Sequence, residues 1–116
     1  MNTTKLHEEM TRQLQERTLL DQARQYADSY FERVCDMRAV PSDLDKLALN
    51  LLDEALPAES QDAGETLALL QRAGNSTISA QGGGRYFGFV NGGILPVSLA
   101  ARWLGDAWDQ NAALYV

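Results

Sequence analysis

Six of the nine glycines in this 116-residue chain fall between Gly82 and Gly93. Glycine gives the backbone conformations that other residues avoid and lets another group approach closely. A run that alternates such residues with Tyr86, Phe87 and Phe89 is poorly suited to a regular packed element and better suited to a shaped wall. Tyr86 to Val90 is expected to be a short strand or an extended piece. The glycine run also divides the chain. Residues 1–81 before it carry helical periodicities, and residues 82–116 hold the glycine/aromatic segment and a proline-started helix.

The first part reads as a series of amphipathic helices. Leu6, Met10 and Leu14 recur every four residues, a weak stripe within the polar stretch 1–15. Leu19, Leu20, Ala23, Ala27, Tyr30, Phe31 and Val34 recur at three and four residues and predict a helix over Leu19 to Met37. Its other face carries Asp21, Arg24, Asp28, Glu32 and Arg33. Asp21 with Arg24 and Asp28 with Glu32 are expected as an attractive and a repulsive pair. Cys35 lies beside the apolar stripe and reads as a buried, inert thiol. Pro41 stops this helix. Ser42 with Asp45 resembles a capping box, and Leu44, Leu47, Ala48, Leu51 and Leu52 form the next face. Pro57 ends that element. Asp62 with Glu65 repeats the start signal, Leu67 and Leu70 carry a short face, and Gly74 is a natural stop. Asn75 to Gln81 then reads as a loop.

After the glycines, Pro96 suits a first helical turn, where its missing N–H costs nothing. Val97, Ala100, Ala101, Leu104, Ala107 and Trp108 share one face, and Gly105 implies close packing against a neighbour. Trp103 and Trp108 read as core or interface anchors, and Asp109-Gln110-Asn111 as a helix end. The apolar ending Ala113-Leu-Tyr-Val116 is expected to be a chain cut in mid-fold, since domain termini are usually polar and exposed.

Arg85-Tyr-Phe-Gly-Phe-Val-Asn-Gly-Gly-Ile-Leu-Pro96, Leu99-Ala-Ala-Arg-Trp-Leu104 and Ala107-Trp-Asp-Gln-Asn-Ala-Ala113 resemble the N-terminal part of the group II pyridoxal-phosphate-dependent amino-acid decarboxylases. The strong match covers about a quarter of the chain; the helices before it fit in layout only. The fold implied is mainly α, the N-terminal helical segment of a fold type I PLP-dependent transferase, an α/β parent, truncated before its cofactor domain. The resemblance places residues 1–81 at a homodimer interface and Phe89, Val90, Asn91 and Gly92 in a substrate-pocket wall. It implies that the parent converts an L-amino acid to an amine and carbon dioxide using pyridoxal 5'-phosphate. In the glutamate-specific branch a polar residue matches Phe89, so Phe89 favours an apolar or aromatic substrate over glutamate. Tyr86 and Phe87 are left between wall and ordinary core.

No catalytic or cofactor-binding residue carries over. The family's lysine, pyridine-facing acid and stacking ring lie downstream of the matched segment. The two lysines here, Lys5 and Lys46, sit in charged, helical stretches, and Lys46 follows Asp45. The glycine run lacks a Gly-Lys-Ser/Thr phosphate loop and the G-x-G-x-x-G spacing; the N–H donors of the run near Arg85 leave weak phosphate affinity open. The isolated chain is therefore expected to be inactive and to bind no cofactor or metal. The other class of reading is a stand-alone helical interaction module without catalysis.

Charge and composition narrow the partners. A net charge of −6 without a basic cluster argues against nucleic acid. There is no apolar run of membrane-spanning length and no signal peptide, and a single cysteine excludes an internal disulfide. The default expectation is a cytoplasmic chain. His7 stands alone and reads as a surface histidine. Asn2-Thr-Thr4 and Asn75-Ser-Thr77 fit the glycosylation acceptor pattern, which is common by chance. Helices with unpartnered apolar faces predict self-association.

Overall fold

The computed structural model describes residues 3–110. It is mainly helical, with no strand among the described residues. Helix α1 spans Thr3–Glu16, α2 Thr18–Arg33, α3 Asp43–Lys46, α4 Ala63–Thr77 and α5 Pro96–Trp108; a 3₁₀ segment, Leu47–Leu52, continues α3. The apolar ending Ala113 to Val116 and the last residue of the Asp109–Asn111 helix end lie outside the described residues, as does Asn2 of the first acceptor pattern.

Local sequence signals set most helix boundaries. The Ser42 side chain accepts a hydrogen bond from the Asp45 backbone N–H, while the Ser42 backbone N–H donates to the Asp45 carboxylate at 2.7 Å, a complete capping box. The Asp62 carboxylate caps α4 by accepting from the Glu65 N–H at 2.9 Å. Pro96 opens α5 in the position expected for it. Arg24 pairs with Asp28 at 3.0 Å, one turn on; the pairing with Asp21 is not formed.

Helix α4 runs past Gly74 to Thr77, so Asn75–Thr77 is helical instead of loop. Nothing lies within 4 Å of a Cβ built on Gly74, so no packing constraint ends the helix there. The Thr77 hydroxyl donates back to the Ala73 carbonyl at 2.7 Å, and the Ile78 N–H donates to the Gly74 carbonyl at 3.2 Å. Asn75 accepts from the Arg33 guanidinium, tying the end of α4 to the end of α2.

The core sits where α4 packs on α2, α3 and the 3₁₀ segment. It is small: among the described residues, Val34, Ala73 and Ala80 are the buried apolar ones. Gln22 on α2 donates from its amide to the Gly64 carbonyl at 3.1 Å and to the Tyr26 hydroxyl at 3.0 Å, fixing the start of α4. Neither α1 nor α5 joins this packing to a comparable extent. The radius of gyration is 17.4 Å, against about 13 Å for a compact chain of this length. The helices are built, but much of their apolar surface is not put away.

One side-chain expectation is corrected, and two others find no packing partner among the described residues. Cys35 is exposed, because α2 ends at Arg33 and the chain turns at residues 34–36, carrying the thiol off the helix stripe. Trp103 and Trp108 are exposed and anchor no core here. Gly105 has nothing within 4 Å of a built Cβ, so no neighbour requires glycine at that point of α5. No helix among the described residues is long and apolar enough to cross a membrane.

Candidate functional site

The glycine/aromatic segment begins by docking on the end of α2. The Ala80 N–H donates to the Ala39 carbonyl at 3.1 Å, and Ala80 is buried. A Cβ on Gly83 would stand 2.6 Å from the Val34 carbonyl oxygen and 3.2 Å from that of Ala80. Gly82 lies against the Tyr30 hydroxyl, Val34 and Ile94. Gly83 thus serves a backbone-to-backbone approach within the protein, while Gly82 faces side chains at ordinary contact distance. Arg85 reaches the same place, donating to the Asp36 carbonyl at 3.1 Å. One guanidinium N–H of Arg85 is thus engaged with the backbone at the end of α2.

From this base the chain makes a closed loop. The Asn91 side-chain amide donates to the Gln81 side-chain carbonyl at 2.7 Å, joining residues ten apart. The Asn91 backbone N–H donates to the Gly88 carbonyl at 3.3 Å. Tyr86 folds over Gly88: a Cβ there would stand 2.7 Å from its hydroxyl. Phe89 and Val90 both take the left-handed conformation, at φ 56° and 57°. That conformation costs an L-residue about 1–2 kcal/mol, and a β-branched valine adopts it rarely. Of the short strand or extended piece expected over Tyr86 to Val90, no strand forms, and the end from Gly88 to Val90 is a turn. No neighbouring strand offers its backbone a ladder, and the Gly88–Asn91 bond closes the turn instead.

All four residues expected in a pocket wall lie in this loop or directly after it. Phe89 is 87% exposed and Val90 is fully exposed; Asn91 forms the clasp, and a built Cβ on Gly92 meets nothing within 4 Å. Phe87 is 93% exposed, so it is not core. The structure brings Phe87, Phe89 and Val90 together at the loop tip as an apolar prominence. Among the described residues, no opposing wall faces it.

Concave surfaces occur elsewhere. A hollow of about 390 Å³ between α2 and α4 is lined by residues including Tyr26, Tyr30, Leu67, Leu70 and Ile78. A cleft of about 310 Å³ lies where Phe31 of α2 meets Ile94, Leu99 and Trp103. A third, of about 280 Å³, fills the elbow between α1 and α2, against Met10, Leu14, Leu19 and Leu20. All three are chiefly apolar and hold no convergent acid, base or nucleophile. Sequence periodicity located most of these residues, and the expectation of unpartnered apolar faces agrees with their exposure.

Both lysines face solvent. Lys46 is half-exposed and paired with Asp43 at 2.9 Å, and Lys5 is exposed on α1. Attachment needs an amine that has shed its proton in a protected setting. No group of His, Cys, Asp and Glu able to hold a metal occurs among the described residues. The resolved electrostatics are those of helix surfaces. The Ser42 hydroxyl and then its backbone N–H hold the Asp45 carboxyl below its usual range. Arg12, donating to Glu9, does the same for Glu9 on α1. Compared with protein-family models, with curated proteins and with solved structures, the chain finds no match.

Proposed function

We propose that this chain is the N-terminal portion of a group II PLP-dependent amino-acid decarboxylase that favours apolar or aromatic L-amino acids over glutamate. By itself it is inactive. It supplies homodimer contacts from its helices and one side of the substrate pocket from Phe89, Val90, Asn91 and Gly92. The motif from Arg85 to Ala113 is the origin of this reading. The observation that carries it furthest is the loop tip: a clasped base, a strained backbone at Phe89 and Val90, and apolar side chains held out in solvent. Strain of this kind persists where the surroundings enforce it and often accompanies function. A wall residue has to be presented in this way to a pocket completed by other polypeptide. Since both lysines here face solvent, the cofactor's binding and chemistry belong to the parent's other regions.

The test is a graft. Residues 82–110 replace the matching segment of a characterised full-length family member. The expected result is a folded, cofactor-loaded enzyme that still releases carbon dioxide from an aromatic amino acid. Phe89→Gln in the chimera then shifts kcat/KM toward polar substrates. A chimera that folds and loads cofactor but has no activity, or one whose substrate preference ignores Phe89→Gln, counts against the assignment.

A further inference from the structure

The hollow between α2 and α4 is bridged at both ends by side-chain hydrogen bonds. At one end Gln22 donates to the hydroxyl of Tyr26, which lines the hollow, and to the Gly64 carbonyl at the start of α4. At the other end Asn75, which also lines it, accepts from the Arg33 guanidinium. The two helices are thus held apart at a set spacing, with about 390 Å³ between them. Small-molecule sites begin at about 300 Å³ and are mostly apolar with a few polar groups. The bridges stand eleven residues apart on α2, a rise of about 17 Å. That length suits a compound of one or two rings and not a docked helix of several turns.

A missing side chain keeps this space open. Gly74 lines the hollow from within α4, and a Cβ built on it meets nothing within 4 Å. Its backbone is not left-handed, so the helix does not require glycine there. Glycine weakens a helix relative to residues with side chains, and here no contact inside the chain recovers that loss. A larger residue would strengthen α4 and fill the hollow. The glycine leaves the space to something that is not part of the chain's own packing.

The lining says what that is. Tyr26 and Tyr30 stand one turn apart on α2 and put two rings on the same face. Such rings receive other aromatic groups by offset stacking or edge contact. At the Asn75 end, the side-chain carbonyl is taken by Arg33 and Gln71, while the amide N–H groups donate to nothing among the described residues. The hollow therefore offers an aromatic wall and one hydrogen-bond donor.

We propose that the α2–α4 hollow binds a flat aromatic compound of one or two rings that carries a hydrogen-bond acceptor for Asn75. The site is separate from the loop at Phe89 to Gly92 and does not rest on the proposed function. Prodan, a naphthyl ketone whose emission reports its surroundings, is the probe, titrated against the 116-residue chain. Saturable binding of one probe per chain with blue-shifted emission is expected. Gly74→Leu fills the hollow from α4 and Ala27→Leu fills it from α2. Each is expected to weaken binding by about tenfold or more, with helix content undiminished by circular dichroism. Asn75→Asp keeps the acceptor that Arg33 uses and removes the donor, and is expected to cost about threefold to tenfold, the worth of one hydrogen bond. Trp103→Ser, in the cleft beside α5, is expected to leave the affinity unchanged. Binding that ignores both leucine variants, or that falls with Trp103→Ser instead, overturns the site. So does a dimer in sedimentation that covers the hollow and excludes the probe.

Discussion

Helices α4 and α5 carry apolar residues at the same helical spacing and meet opposite fates. Helix α4 presents small residues to its neighbours, Ala73 on it is completely buried, and its first turn is pinned by Asp62 and by Gln22 of α2. Helix α5 has a larger apolar payload, including two tryptophans, yet every one of its residues is exposed. Amphipathic spacing therefore specifies that a face exists; whether the face is covered depends on what the rest of the polypeptide brings to it.

The widest gap between the two regions is expected on overfilling them. Ala73→Leu should cost about 1–3 kcal/mol, the usual penalty for forcing atoms into a packed site. Ala100→Leu on α5 should change stability by less than about 0.5 kcal/mol, as at an open surface. Urea unfolding followed by far-ultraviolet circular dichroism measures both; equal losses would mean that α5 is packed after all. Next in size is Gly83→Ala, which must move the Val34 carbonyl from 2.6 Å and should cost about 1–2 kcal/mol. Gly84→Ala, with nothing within 4 Å, should be neutral or add up to about 1 kcal/mol by stiffening the unfolded chain. The same denaturation experiment separates them.

Capping gives a smaller contrast. Asp62→Ala should cost about 1 kcal/mol. Leu95 caps α5 without a side-chain bond, so Leu95→Asn should raise helix content instead. Amide hydrogen exchange in the first turn of each helix reads the two effects. The smallest expected effect is on pH. The Asp45 carboxyl is held below its ordinary range in the folded chain, so its contribution is complete above about 3.9, the unfolded value. It is lost as pH falls from there through the lowered folded value. Acid titration of the α3 amide signals should show this loss, and Asp45→Asn should abolish it.

The same comparison explains what was legible in the sequence. Ser42, Asp45, Asp62 and Pro96 act within a few residues of themselves, so their spacing predicted the helix starts that occur. The stripe from Leu19 to Val34 predicted α2 for the same reason. Features set by distant groups were not legible. Gly83 read as one of a run that permits close approach, but the group that approaches it, the Val34 carbonyl on a distant stretch of chain, could not be named from the sequence. Gly74 looked like a stop, but nothing around it requires one. The exposure of Cys35 follows from where α2 ends, and that boundary lies four residues before the predicted one. At the candidate site, the glycines and aromatics marked the segment that folds into the clasped loop. The left-handed pair Phe89–Val90 was hidden because neither residue type ordinarily chooses that conformation.

The Asn91–Gln81 clasp has a thermodynamic consequence for whatever meets the loop. Docking a slack segment spends binding free energy on ordering it, and that loss comes directly out of affinity. Here the ends are already joined by one side-chain hydrogen bond, and the unfavourable backbone at Phe89 and Val90 is adopted before any encounter. The conformational cost therefore belongs to the free chain. A surface shaped to receive Phe87, Phe89 and Val90 would find them preorganised, and its contacts with them would count almost in full toward complex stability.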